Sequence, residues 1–162
     1  MNFEDAKTCA ECGGACCKRH PGACFPADFG DDESEILSAV WYALGTGMYA
    51  INWWEGDPAE EDDRGRSLFV QPAVIGKQGP WQPIWNGVCV FLRPDGCSLA
   101  HDERPQGCRD LEPHAGEDGE CVDHGGGTQA AALAWRGMSK ELEQMGYMMV
   151  GRKSRKRKTN RR

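Results

Sequence analysis

The chain has 162 residues, among them 21 glycines, nine prolines and nine cysteines, and a formal net charge of −6. That length suits one domain, but glycine at nearly twice its average share of about 7%, with tracts such as "HAGEDGECVDHGGG" that lack an apolar period, excludes a large core as the only source of stability. No apolar stretch approaches the roughly 20 residues needed for a membrane helix, so the expectation is no membrane partner and a domain closed by disulfides or by bound metal.

The first residues, "MNFEDAKTCAEC", carry acids and no run of seven apolar residues. They read as neither signal nor transit peptide, which gives the expectation of a cytoplasmic protein. A reducing compartment disfavours structural disulfides and an odd cysteine count leaves one thiol over, so metal is the preferred staple. Cys9 and Cys12 form a C-x2-C pair, a loop that lets two thiolates grip one ion at about 2.3 Å. Gly13 and Gly14 follow, and their freedom at positive φ lets backbone N–H groups turn toward the sulfurs. Cys16 and Cys17 add two more thiols. Adjacent residues point in different directions, so one of the two serves a second metal or lies buried as a small hydrophobe.

In "DDESEILSAVWYALG" the residues Ile36, Leu37, Val40, Trp41 and Leu44 recur at helical spacing, with Asp32 or Ser34 as the cap and Gly45 as the stop. Residues 48–54 and 68–75 read as strands, the second an edge strand because of Pro72. Between them "EGDPAEEDDRGR" reads as a solvated acidic loop without EF-hand spacing. Trp53, Trp54, Trp81 and Trp85 either stack bases or, as the preferred reading, pack into a small core.

A second cysteine cluster occupies "VCVFLRPDGCSLAHDERPQGCRDLEPH". Residues 88–92 are a β-type run, and Arg93, Pro94, Asp95 and Gly96 form a turn with proline at its second position. Cys89 and Cys97 then flank a hairpin; a regular ladder would put them on opposite faces, so Cys97 leaves the strand or a bulge re-aims it. Pro105 suits the first position of a short helix, which places Cys108 where the macrodipole favours a thiolate, with Arg109 as an added positive charge. Of His20, His101, His114 and His124, the best placed as a further ligand is His124, three residues after Cys121.

The arrangement Cys9-x2-Cys12-x3-Cys16-Cys17, then Cys89, Cys97 after "DG", Arg104-Pro105-x2-Cys108-Arg109, and Cys121 resembles the cysteine-cluster proteins described as zinc- or iron-chelating domains. It departs from their pattern in having three residues before the double cysteine, and Ala100 and His101 where relatives tend to carry a tyrosine. The resemblance implies metal binding by Cys9, Cys12, Cys16, Cys17, Cys89, Cys97, Cys108 and Cys121, as zinc, iron or an iron–sulfur cluster. Cys24 falls outside it. Soft sulfur ligands exclude magnesium and calcium and leave zinc and iron–sulfur both open.

After a glycine run, Thr128 reads as the cap of a last helix on which Ala131, Trp135, Met138, Leu142, Met145 and Met149 make one apolar seam, expected to dock on the same domain. Residues 151–162 hold eight of the 19 lysines and arginines and none of the 25 acids. The tail is therefore +8, while residues 1–150, with 11 basic residues against 25 acids, carry −14. Arg152, Lys153, Arg155, Lys156, Arg157, Lys158, Arg161 and Arg162 are the candidate contacts to nucleic acid or a nucleoprotein complex, a protein partner being the other option. A tail of this composition is expected to be disordered alone.

The expected architecture is a small, loop-rich, metal-stabilised α+β domain over residues 1–150, with a few short strands and a C-terminal helix, followed by a basic tail over 151–162. No P-loop, G-x-S-x-G or H-E-x-x-H motif is present. The leading functional reading is thus a metal-binding module whose tail contacts nucleic acid, and the rival is an iron–sulfur redox protein or metalloenzyme.

Overall fold

In chain order the computed structural model contains α1 (Ala6–Glu11), α2 (Glu33–Thr46), β1 (Tyr49–Asp57), β2 (Asp62–Pro72), β3 (Leu92–Arg93), β4 (Gly96–Cys97), α3 (Gln106–Arg109), β5 (Leu111–Glu112), β6 (Val122–Asp123), α4 (Gly127–Ala134) and α5 (Ser139–Thr159). It describes residues 6–60, 62–83, 86–114, 116–117 and 121–159. This is an α+β fold with three two-stranded antiparallel sheets among the described residues. No helix among them is long and apolar enough to cross a membrane.

Helix α2 begins where Asp32 accepts the Glu35 N–H at 3.0 Å, and Glu33 and Glu35 add charge at the favourable end of the dipole. Its stripe of Ile36, Val40, Ala43 and Leu44 is buried. The stop comes later than expected: Gly45 is helical, and the chain leaves the helix at Gly47, whose φ of 77° is the left-handed cap that side-chain-bearing residues avoid.

Strands β1 and β2 pair from Tyr49↔Pro72 to Glu55↔Arg66, then Asp57↔Asp62 after a bulge. The acidic stretch is therefore largely strand rather than loop. Glu55 faces Arg66 across the ladder, and the Arg66 guanidinium lies 4.2 Å from the Trp53 ring centre. Such cross-strand pairs offset the poor strand propensity of acidic residues. Pro72 closes β2, where its missing donor interrupts nothing further along the strand.

A two-stranded hairpin is marginal alone, and here the helices cover it. Val40, Ile51, Phe69, Val70, Ala131, Trp135 and Leu142 have no exposed surface. The expected seam from Ala131 to Met149 does dock on this domain, but not as one helix. Gly126 rather than Thr128 is the N-cap of α4, and a 3-10 turn over Arg136–Met138 separates α4 from α5. Trp53, Trp54 and Trp81 pack against the core, as the packing reading had it; Trp85 lies outside the described residues. The tail differs from the expected disorder, because the α5 backbone continues past Val150 to Thr159. Arg152, Lys153, Arg155, Lys156, Arg157 and Lys158 fall on that helix, and Arg161 and Arg162 lie outside the described residues.

Trp135 holds the two halves of the fold together, since its Nε1 donates to the Cys24 carbonyl at 2.8 Å. Trp135→Ala is expected to cost about 3–5 kcal/mol as a cavity-forming change, with a further contribution from the unpaired buried carbonyl. Urea unfolding followed by circular dichroism measures it. A loss below about 1 kcal/mol would mean that the surrounding core closes over the gap.

Candidate metal centre

The first cysteine cluster is built on α1 and the turn that ends it. Cys9 lies in the helix, and the Cys12 thiol donates to the Cys9 carbonyl at 3.3 Å. Gly13 and Gly14 have φ of 68° and 70°, the positive values expected of them. A side chain at Gly14 would stand 2.5 Å from Leu92 Cδ1, so glycine there lets the cluster press onto β3.

The second cluster meets the first through backbone. The Cys89 N–H donates to the Cys17 carbonyl at 2.9 Å. Cys89 bridges to Val74 and stands outside the β3–β4 ladder, whereas Cys97 lies in β4 opposite Leu92. The turn at Arg93 to Gly96 is as expected, but the hairpin is shorter, and it is Cys89 rather than Cys97 that has left it.

Pro105 occupies the N-cap of α3, one place earlier than expected, and Cys108 lies in its single turn. The helix dipole does not make Cys108 a thiolate. Burial pushes its thiol well up, and neighbouring Cys89, Cys16 and Cys97 add to the rise. A four-residue helix has little dipole to oppose that. Gly22 packs directly on the Cys108 sulfur, and the Gly107 N–H donates to the Ala23 carbonyl at 3.0 Å. Arg109 also differs from expectation: its Nη2 donates to Asp28 Oδ1 at 2.7 Å and to Gln106 Oε1 at 2.9 Å, so its charge is held by a carboxylate. Burial raises the Asp28 carboxyl, against the lowering effect of the Gln106 and Phe25 amides and of Arg109.

Cys9, Cys16, Cys17, Cys97, Cys108 and Cys121 line one cavity of about 360 Å3. Five separate segments supply them. Cys12 and Cys89 are not on its wall, although Cys89 lies close enough to Cys17 to raise that thiol. Cys24, outside the family pattern, is in the hydrophobic core. Among the histidines it is His20 that reaches the cavity wall. His124 is carried by β6 toward β5, where its Nε2 lies 2.8 Å from Glu112 Oε2.

Cys16 is the electrostatic centre. A hydrogen bond from the Cys17 side chain brings its thiol down to about 6, against the opposing effect of burial, with His20 assisting. Cys17, the donor, is correspondingly raised. Cys121 is raised by burial and by its own hydrogen bond to Cys16, and burial raises Cys97 and lifts Cys89 to about 11. Along this wall Cys16 is thus lowered while Cys17, Cys97, Cys108 and Cys121 are raised. Metal-free protein is expected to be alkylated by iodoacetamide first at Cys16, with half-maximal rate near pH 6 because only the thiolate reacts. Peptide mapping across pH 4–9 reads this, and equal labelling of Cys16 and Cys108 at pH 7 would contradict it.

Among the described residues no three histidine, cysteine, aspartate or glutamate side chains stand ready around one ion. The donor chemistry nevertheless fits a thiophilic metal, because the cavity gathers sulfur almost to the exclusion of carboxylate. Cys16, Cys17, Cys97 and Cys108, with Cys9 and Cys121 beside them, would hold it. Cys24→Ala is expected to leave metal content unchanged, since the side chain lies in the core and not on the cavity wall; elemental analysis of the variant checks this.

Sequence reasoning missed the polar part of the cavity wall, where Asn52, Gln71 and Arg104 are buried. The available signal was a polar residue breaking each apolar run, Asn52 in "YAINWW" and Gln71 in "LFVQPAV". Fold and site together define a small α+β domain in which six of the nine cysteines line a shared cavity. No family model, curated protein or solved structure gives a significant match to the chain.

Proposed function

We propose that this chain is a metal-binding module of the cysteine-cluster kind, binding zinc or iron through its cavity cysteines and contacting nucleic acid or a nucleoprotein assembly through the basic end of α5. The observation that carries the reading is the meeting of six cysteines from five segments at one cavity. A cytoplasmic location accords with nine cysteines and no disulfide among them. When bound, the metal supplies cross-links between α1, β4 and α3 that the small core does not. The residues' own part is to present sulfur: Cys16 is already deprotonated at neutral pH, while Cys17 and Cys108 release protons to a metal.

The size of the cavity favours a second reading, an iron–sulfur redox protein or metalloenzyme. A volume of about 360 Å3 exceeds the need of an ion and falls among small-molecule sites. Metal and acid-labile sulfide analysis of anaerobically purified protein tests both. Stoichiometric zinc without colour supports the module, iron with sulfide supports the second reading, and a metal-free protein that binds neither ion on titration sinks both.

A further inference from the structure

We infer that the groove between the β1–β2 ladder and α5 is a base-stacking site for single-stranded nucleic acid; this rests on the nucleic-acid reading above and gives it a place and a strand preference. The groove is separate from the cysteines. Side chains alternate between the two faces of a ladder, so Asn52, Trp54 and Gln71 line the cysteine cavity, while Trp53, Leu68 opposite it and Arg66 line a second cavity of about 390 Å3. Lys140, Glu143 and Tyr147 of α5 form its other wall, together with Trp81. Gly146 allows this, because any side chain there would collide with the Trp81 ring.

The walls suit a flat, neutral ring. Tyr147 is 65% exposed although its ring centre lies 5.5 Å from that of Trp81, and the exposed Arg66 guanidinium, stacked over Trp53, is a second planar surface. Bases stack on aromatic rings and on guanidinium planes alike. Charge within the groove nearly cancels: Arg66 and Lys140 are met by Glu143 and by Glu55, which accepts from Trp53 Nε1 at 2.7 Å. Such a groove takes the base rather than the phosphate. Attraction for phosphate comes from the same helix, since α5 continues through Arg152, Lys153, Arg155 and Lys156. That basic run starts five residues beyond Tyr147, about 7.5 Å along the helix axis, so a few nucleotides of one strand span both. A duplex keeps its bases within its own stack, and the combination therefore selects single strands.

Fluorescence-anisotropy titration of the full chain at low salt tests the assignment, with labelled oligothymidylate of about 12 nucleotides, an abasic sugar–phosphate oligomer of equal length and the corresponding duplex as probes. The expected result is that oligothymidylate binds at least about fivefold more tightly than the abasic oligomer, the lower end of what one stacked base contributes. Tyr147→Ala, at an exposed position, is expected to remove that margin while leaving melting temperature and affinity for the abasic oligomer and the duplex as they were. Arg66→Lys keeps the charge, loses the plane and should narrow the margin. Equal affinity for oligothymidylate and abasic oligomer, or a margin unchanged in Tyr147→Ala, would overturn the stacking site, leave the groove to a protein and keep the reading of the tail. A margin that survives deletion of residues 152–162 would keep the site and remove the tail's part in binding. No binding of any probe by the full chain would remove both. Self-association of the chain that Tyr147→Ala abolishes would assign the groove to a second copy and overturn the proposal.

Discussion

Cys16→Ser and Cys108→Ser are each expected to lose bound metal and cooperative unfolding together. Both thiols line the shared cavity, from the first cluster and from α3 respectively. Without an ion, those segments are joined by few backbone bonds, such as Cys89 N to Cys17 O and Gly107 N to Ala23 O. A metal at a thousand times its dissociation constant adds about 4 kcal/mol. Against a total of about 5–15 kcal/mol for a domain, that is enough to decide whether α1 and the β3–β4 hairpin stay docked. Metal content with thermal and urea unfolding of each variant, and of the parent after chelation, provides the measurement. Sharp unfolding at the parent's midpoint in a metal-free sample would refute a structural role for the metal.

Deleting residues 152–162 is expected to abolish nucleic-acid binding while leaving metal content and melting temperature as they were. Met149 is the last buried residue of the α5 seam among those described, and residues 152–162 include no apolar side chain. All eight basic residues beyond it would give log affinity for duplex DNA a slope of about −7 against log salt, or about −6 for a single strand. Between 50 and 200 mM salt that corresponds to a loss of roughly 10⁴. The −14 of residues 1–150 acts against this at separations within a Debye length of about 10 Å, so the intact protein should bind weakly and without sequence preference. Titrations of both chains at several salt concentrations decide it. A flat salt dependence, or equal affinity with and without the tail, leaves a protein partner for the basic segment.

Local features of this protein could be read from its residues because local physics produces them. The period of Ile36, Val40 and Leu44 makes α2, the turn from Arg93 to Gly96 makes the β3–β4 connection, and the two glycines after Cys12 take positive φ. The apolar seam of the last helices was readable too, but its break at Arg136–Met138 was not, since the 3.6-residue period barely registers a single 3-10 turn. Extension of β1 and β2 into the acidic stretch depended on pairs across the ladder, which no window along one strand contains.

The sequence by itself determined that cysteines would occur in two clusters and that eight of the 19 basic residues would lie at one end. Only the tertiary structure decided which thiols share a cavity, and which of them carries the charge. Arg109 finds Asp28 and Trp135 finds the Cys24 carbonyl across long stretches of chain, and Gln71 is left with an open donor by the same packing. Burial and neighbouring charge set a pKa through distance in space, and so Cys16 is lowered while Cys17, beside it in the chain, is raised.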